Sequence, residues 1–171
     1  MANLDDPDIS PQQIVSLEKK LVRALKCDVL PTSFYLAGGT AVYYYLRHRL
    51  SVDLDFFTPE AFRSEMIFKG MKECFDEATA ELLGNDTVIL FIGPEKVKFS
   101  LFHFPYGHLS ASCNMPIQEG VVCPLASMDD IIAMKAVAIN QRGSIKDFID
   151  LFFILKKTDT DFNRLATLVQ K

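Results

Sequence analysis

The chain has 171 residues, of which 49% are hydrophobic and 14 are phenylalanine, and its formal net charge at pH 7 is −4. This length is typical of one domain, and the apolar content is enough to bury a core. No apolar run approaches the roughly 20 residues of a membrane-spanning helix, and the first ten residues lack a signal-peptide hydrophobic segment. We therefore expect a soluble, cytoplasmic protein with no membrane partner, whose surface as a whole does not favour nucleic acid.

The four cysteines stand at irregular spacings without a CxxC pair, at Cys27, Cys74, Cys113 and Cys123. Without a signal peptide, reduced thiols are expected. The three histidines show no ligand-like spacing with these cysteines, so the sequence does not predict a zinc site.

The first half of the chain mixes helices and strands. Residues 1–10 are expected to be disordered or extended, and Ser10-Pro11 then predicts the start of a helix that reaches about Cys27. Further elements are predicted as a strand at 34–37, a helix at 41–49, a strand at 52–57 and a long helix at about 60–83.

The second half predicts strands at 87–92, 96–104 and 121–124, with a loop at 105–116. Ser127 with Asp130 resembles a capping box that opens a helix ending at Gly143. Helices at 145–156 and 159–170 follow. The pattern predicts an α+β fold, a small mixed sheet flanked by helices, with a core at 11–125 and a C-terminal helical segment at 126–171 packed on the same domain.

The segment FYLAGGTAVYYYLRHRLSVDLDFF, residues 34–57, concentrates the residues suited to catalysis. Gly38 and Gly39 precede a helix whose first N–H groups can bind an anion, and Thr40 can add a hydroxyl. Asp53 and Asp55 are two apart on a predicted strand, so both carboxylates face the same side. Mg²⁺ prefers one or two such carboxylates together with substrate phosphates. The segment therefore predicts a metal and triphosphate site.

The order Gly-Gly, thirteen residues, then Asp-apolar-Asp resembles the signature of the polymerase-β-like nucleotidyltransferases. More narrowly, the GGT and HRxSxDLDFF pattern is similar to the AbiEii/AbiGii toxin family of nucleotidyltransferases. A distal motif matches the same family through MDDIIAMK at 128–135, RGS at 142–144 and KDFIDL at 146–151. VKFSLFHFPY, at 97–106, is similar to the family's middle strand.

The resemblance implies transfer of a nucleotidyl group from an NTP, dependence on Mg²⁺ or Mn²⁺, and a toxin that can be paired with an antitoxin protein. It implies metal and catalytic roles for Asp53 and Asp55, and a catalytic role for Lys135, whose cation can neutralise developing phosphate charge. The nucleotide-binding positions that it implies, or that flank the pocket, are Gly38, Gly39, Thr40, Arg49, Ser51, Arg142, Lys146 and Asp147.

Simpler structural interpretations remain open for the distal motif. Lys146 and Asp150 stand at i, i+4 and can pair with each other, and Asp147 can serve the helix start. Asp150 is assigned a structural role.

One feature departs from the superfamily pattern, because the predicted strand at 96–104 carries Lys98 and Ser100 but no third carboxylate. The catalytic base is therefore unassigned. The alternatives are a catalytically weak or inactive nucleotide-binding or partner-binding module of the same fold, or an interaction protein acting by contact alone. The predicted acceptor is RNA, such as the 3′ end of a tRNA, or a protein. RNA binding requires a positive funnel at the cleft, predicted from Arg47, Arg49, Lys98, Lys135, Arg142 and Lys146.

Overall fold

The structure is a computed structural model that describes residues 11–170, so the expectation for residues 1–10 lies outside the described residues. The described helices are α1 (Pro11–Lys26), α2 (Gly38–Leu46), α3 (Ser64–Cys74), α4 (Met128–Arg142), α5 (Ile145–Thr158) and α6 (Phe162–Val169). The described strands are β1 (Tyr35–Leu36), β2 (Leu54–Thr58), β3 (Thr79–Leu83), β4 (Thr87–Ile92), β5 (Val97–His103), β6 (Cys113–Pro116) and β7 (Val122–Leu125).

The seven strands form one mixed sheet in the order β3-β4-β5-β2-β1-β7-β6. Strand β2 lies near the middle, antiparallel to β1 and parallel to β5. Along β2, Leu54, Phe56 and Thr58 are buried while the residues between them are half-buried, which is the two-residue period of a strand. This register sets Asp55 beside Ser100 of β5.

The C-terminal helices pack on the part of the fold that follows β1. Helix α2 contacts both α4 and α5, and the Tyr45 hydroxyl donates a hydrogen bond of 3.0 Å to the Ala126 carbonyl. Helix α4 begins as expected, because the Ser127 hydroxyl accepts from the Asp130 N–H at 3.0 Å. It ends as expected at Gly143, where φ is +57°.

Two of the predicted elements are wrong. The long helix predicted at about 60–83 ends at Cys74, and Thr79–Leu83 is instead edge strand β3, paired antiparallel with β4. Phe75 takes an extended conformation and buries its ring, which stops the helix, and strand pairing then overrides the helix propensity of an Ala-Glu-Leu run. The loop predicted at 105–116 contains Cys113–Pro116, which pairs with β7 as the other edge strand.

The prediction of reduced thiols is wrong for one pair, because Cys27 and Cys74 form a disulfide. Cys27 follows α1 and Cys74 is the last residue of α3, and packing of the two helices brings their Cα atoms to 6.0 Å. Cys113 is free and exposed, and Cys123 is free and buried. Within residues 11–170, none of the helices combines the length and apolarity required to cross a membrane.

Candidate active site

The glycine turn at the start of α2 lies against the carboxylate of Asp55. Gly38 has φ +64°, and a Cβ added there would stand 2.6 Å from Asp55 Oδ2. The neighbouring Ala37 N–H donates 2.9 Å to the Asp55 carbonyl, which fixes the turn to β2. Only glycine combines this left-handed backbone with so close an approach. The start of α2 is therefore held directly beside Asp55.

Gly39 faces a second pair of side chains. A Cβ on Gly39 would stand 2.7 Å from Ser51 Oγ and 2.8 Å from Arg49 Nη2. A guanidinium and a hydroxyl therefore flank the first turn of α2, whose N–H groups have no partners inside the helix. The predicted pocket residues Gly38, Gly39, Arg49, Ser51 and Asp55 are thus brought together.

Thr40 has a contact of its own within this turn. Its side chain is fully buried, and the hydroxyl donates to the backbone carbonyl of Asp53. The Thr40 hydroxyl therefore fixes the loop that carries Asp53, because its proton is committed to the backbone.

The two aspartates are close enough to influence each other. Asp53 is exposed and immediately precedes β2, whereas Asp55 is half-buried within the strand. Burial first, and then the negative charge of Asp53, raise the pKa of the Asp55 carboxyl. The nearby Ser100, Lys98 and Lys135 act in the opposite direction. A divalent cation between the two carboxylates would relieve this repulsion, so the pair fits Mg²⁺ or Mn²⁺.

The protein supplies few further ligands at this position. In the described part of the chain, no group of three or more His, Cys, Asp or Glu side chains could hold a metal ion. Ser100 is fully buried on β5 beside Asp55, and its hydroxyl makes no hydrogen bond to the described residues. A metal held by Asp53 and Asp55 would complete its shell with water and substrate oxygens.

Behind the glycine turn, Asp150 of α5 collects three cationic or hydrogen-bonding side chains. Its Oδ1 accepts from His48 Nε2 and Arg49 Nε, both at 2.6 Å, and its Oδ2 accepts from Arg49 Nη2 at 2.7 Å. Lys135 Nζ lies 2.7 Å from the same Oδ2. Burial alone would raise the pKa of Asp150, but these hydrogen bonds outweigh it and hold the pKa well below its usual range.

A second buried carboxylate continues this arrangement. Asp147 accepts from Lys135 Nζ at 2.9 Å and from Arg142 at 2.8 and 3.0 Å. The pairing with Asp147 raises the pKa of Arg142 against the lowering effect of burial, and the charge of Asp55 adds to the rise. The residues that we call the ion-pair network are Arg142, Asp147, Lys135, Asp150, Arg49 and His48.

The network decides between the interpretations of the distal motif. Asp150 pairs with His48, Arg49 and Lys135 rather than with Lys146, which is exposed on α5. Asp147 does lie in the first turn of α5, yet its carboxylate reaches back to α4. Sequence reasoning missed the contact between His48 and Asp150. The usable signal was the pair of motifs HR and KDxxD, because buried charges need partners.

The predicted funnel of six cations forms only in part. Arg49, Lys135 and Arg142 join the network, and Lys98 lies near Asp55. Arg47 instead stacks over the Tyr43 ring at 4.4 Å, and Lys146 is exposed on α5.

A mixed sheet with a glycine turn against a central strand that carries Asp55, with Asp53 just before it, is the fold of a nucleotidyltransferase. JHP933 from Helicobacter pylori matches with a TM-score of 0.64 and 20% identity, over 94% of this chain and 74% of that one. ANT(2″)-Ia, in a crystal structure with adenylyl-2″-tobramycin, matches with a TM-score of 0.60 and 12% identity, over 93% of this chain and 95% of that one.

The chain belongs to the family described as "Nucleotidyl transferase AbiEii toxin, Type IV TA system", whose family model matches residues 20–171. It is also 38% identical over 139 residues to an uncharacterized protein of Aquifex aeolicus (strain VF5). That match covers 81% of this chain and 65% of the relative, so the chain spans about two thirds of the length of the curated relative that it matches. The resemblance inferred from the sequence is confirmed.

Proposed function

We propose that the chain transfers a nucleotidyl group from an NTP to an acceptor, with Mg²⁺ or Mn²⁺ held by Asp53 and Asp55. The observation that carries this proposal is the contact between Gly38 and Asp55, where a Cβ would stand 2.6 Å from the carboxylate. It supports the proposal because the start of α2 and the Asp55 carboxylate stand side by side. A triphosphate bridged to a metal needs an anion site and a metal-binding carboxylate close to each other.

Each residue of the site has a role in this proposal. The first turn of α2 binds phosphate oxygens, and Arg49 and Ser51 flank it at Gly39. When bound, the metal supplies charge neutralisation and orients the phosphates for in-line displacement. Arg142, whose side chain is 66% exposed, is free to contact phosphate while it stays paired with Asp147. Lys135 is only 7% exposed and is bound to two carboxylates, so it acts by holding the network near Asp55.

The acceptor that we propose is RNA, such as the 3′ end of a tRNA. A groove of about 600 Å³ between α1 and the β4–β5 turn reaches Asp53 and is lined by Lys20, Lys96 and Lys98. A second groove shares Lys20 with it and continues along α1 past Lys19 and Arg23. The acids on these walls are Glu77, Glu95 and Asp53, and Lys20 is already paired with Glu95 at 2.8 Å. The other cations of the two grooves favour an anionic acceptor over a polycationic aminoglycoside. They are Lys19, Arg23, Lys96 and Lys98.

The decisive experiment is incubation of the purified protein with each labelled NTP and MgCl₂, in the presence of total tRNA, of total protein or of neither. Label on tRNA that is absent with Asp55→Asn would support the whole proposal. Label on protein would support the transfer reaction but would make the acceptor a protein instead of tRNA. Absence of label with every acceptor would contradict transfer.

The basic groove has its own test. Lys96→Glu combined with Lys98→Glu should weaken tRNA binding and flatten its dependence on salt, whereas Lys69→Glu on the exposed face of α3 should leave both unchanged. Affinity for tRNA that does not fall as salt rises would contradict the groove as the acceptor site.

Toxicity is part of the proposal, because the family is described as a toxin of a type IV toxin–antitoxin system. Expression of the chain in a bacterial host should arrest growth, and Asp55→Asn should relieve the arrest. An antitoxin protein would be the co-expressed partner that restores growth to the wild-type strain.

A second candidate function is an inactive nucleotide-binding or partner-binding module of the same fold. The observation that favours it is Ser100, which stands beside Asp55 on a strand that carries no acid, whereas polymerase-β-like enzymes usually carry a third carboxylate on a later strand. A binding module would take up NTP and Mg²⁺, which calorimetry measures, but it would not release pyrophosphate. Release of pyrophosphate therefore separates the two functions.

A further inference from the structure

Helix α5 is amphipathic in the reverse sense of an ordinary surface helix. Its two acidic residues, Asp147 and Asp150, are buried, together with Ile154. Its outward residues are Ile145, Phe148, Ile149 and Phe152, with exposed fractions of 71%, 50%, 37% and 61%. We call these four residues the outer face of α5. The inward acids hold the ion-pair network, whereas the four apolar side chains of the outer face are left to solvent.

The four outer residues stand at i, i+3, i+4 and i+7, which is the spacing by which one helix packs along another. A contiguous apolar patch on an otherwise polar surface marks an interaction site, in contrast to single exposed apolar residues. The outer face spans two turns, about 10 Å along the helix axis. These dimensions fit one helix laid along α5.

The charges beside the outer face of α5 determine which kind of partner helix fits it. The exposed charged residues within α5 are Lys146, Lys156 and Lys157, whereas its two acids are buried. This cationic border stands out in a chain with a net charge of −4. We propose that the outer face of α5 docks an amphipathic helix of a partner protein that has an apolar stripe bordered by acidic residues.

A second copy of the chain fits this face poorly. In a parallel pair of α5 helices, Lys146, Lys156 and Lys157 would each approach their own copies. In an antiparallel pair, Lys156 and Lys157 of one copy would approach Arg142 and Lys146 of the other. Like charges meet in both arrangements, and such contacts disfavour association. This inference does not depend on the transfer reaction.

The test uses two synthetic helical peptides that share one leucine stripe and differ only in the residues that border it, glutamate in one and lysine in the other. Fluorescence anisotropy with the full chain should show that the glutamate peptide binds about ten-fold or more tightly than the lysine peptide, and that its affinity falls as salt rises. Phe148→Ser with Phe152→Ser should abolish binding. Leu82→Ser, which removes an exposed apolar side chain from edge strand β3, should leave it intact.

A charge reversal makes the test specific. Lys156→Glu with Lys157→Glu should shift the preference toward the lysine peptide, and circular dichroism should show that the fold is retained. Equal binding of both peptides, or binding of neither, would overturn the proposal. So would a dimer that Phe152→Ser dissociates in analytical ultracentrifugation, which would make the occupant a second copy. Flotation with phosphatidylserine vesicles that is lost in Phe152→Ser would replace the partner helix by a lipid surface.

Discussion

The guanidinium of Arg49 binds both carboxylate oxygens of Asp150, with Nε to Oδ1 at 2.6 Å and Nη2 to Oδ2 at 2.7 Å. The same Nη2 lies 2.8 Å from the position of a Cβ on Gly39. A two-pronged pair of this kind fixes the plane of the guanidinium as well as its distance. Helix α5 therefore sets the direction in which Arg49 faces the start of α2.

Removal of the Asp150 charge should destabilise the chain strongly. Asp150→Asn would leave Arg49, Lys135 and His48 around a neutral amide, and breaking a buried ion pair in this way costs about 3–5 kcal/mol in the free energy of unfolding. The control is Asp159→Asn, an exposed residue at φ +50° where Asn is also tolerated. Urea unfolding at pH 7 measures both, and equal midpoints would contradict a structural role for Asp150.

The ion pair between Arg49 and Asp150 predicts that the free energy of unfolding depends on pH. The pKa of Asp150 is lower in the folded chain than in the unfolded one, so its contribution to stability is present above the unfolded pKa. That contribution is lost as the pH falls through the folded value. The difference between wild type and Asp150→Asn should therefore be constant from pH 7 to about pH 5 and shrink only below about pH 4. A difference that disappears between pH 7 and pH 5 would point to another group.

Substitution of Asp55 should stabilise the chain, in contrast to substitution of Asp150, although it removes a residue that the proposed reaction needs. The pKa of Asp55 is raised by burial and by Asp53, so the ionised carboxylate costs more free energy in the folded chain than in the unfolded one. Asp55→Asn should then raise the free energy of unfolding in the absence of metal while it abolishes transfer. Addition of MgCl₂ should raise the melting temperature of the wild type and leave the variant unchanged. Equal shifts in the two proteins would place the metal elsewhere.

Substitution of Gly38 tests the contact with Asp55, and substitution of Gly107 is its control. Gly38→Ala forces a residue with Cβ to φ +64°, at a cost of about 1–2 kcal/mol, and brings that Cβ to 2.6 Å from Asp55 Oδ2. Displacement of this carboxylate by about 1 Å should lower transfer by roughly 10². Gly107→Ala meets no atom within 4 Å and should be neutral for transfer. Full activity in Gly38→Ala would show that the contact is dispensable.

The sequence predicted the parts of this fold that local chemistry determines. The cap at Ser127, the stop at Gly143 and the strand that carries Asp55 follow from short-range signals. It failed at β3 and β6, because these edge strands exist through pairing with β4 and β7, partners that local propensity does not reveal. The pairing of His48 with Asp150 was missed for a related reason, since 102 residues separate them.

Lys135 provides the test of whether the ion-pair network serves catalysis through position or through direct contact. Its ammonium lies 2.9 Å from Asp147 Oδ1 and 2.7 Å from Asp150 Oδ2. If Lys135 acts by holding these carboxylates, Lys135→Ala should lower stability and turnover together. The double variant Lys135→Ala with Asp147→Asn should then lose less than the sum of the single losses, by about 0.5–3 kcal/mol in a double-mutant cycle.

A direct role gives a different result in the same cycle. A lysine that contacts phosphate in the transition state would lose roughly 10²–10³ in turnover through Lys135→Ala. Asp147→Asn would leave that loss unchanged, because the phosphate contact does not pass through Asp147. Urea unfolding and single-turnover transfer, measured on all four proteins of the cycle, separate the two roles. Because the structure shows Lys135 buried and doubly paired, we expect coupling in both measurements.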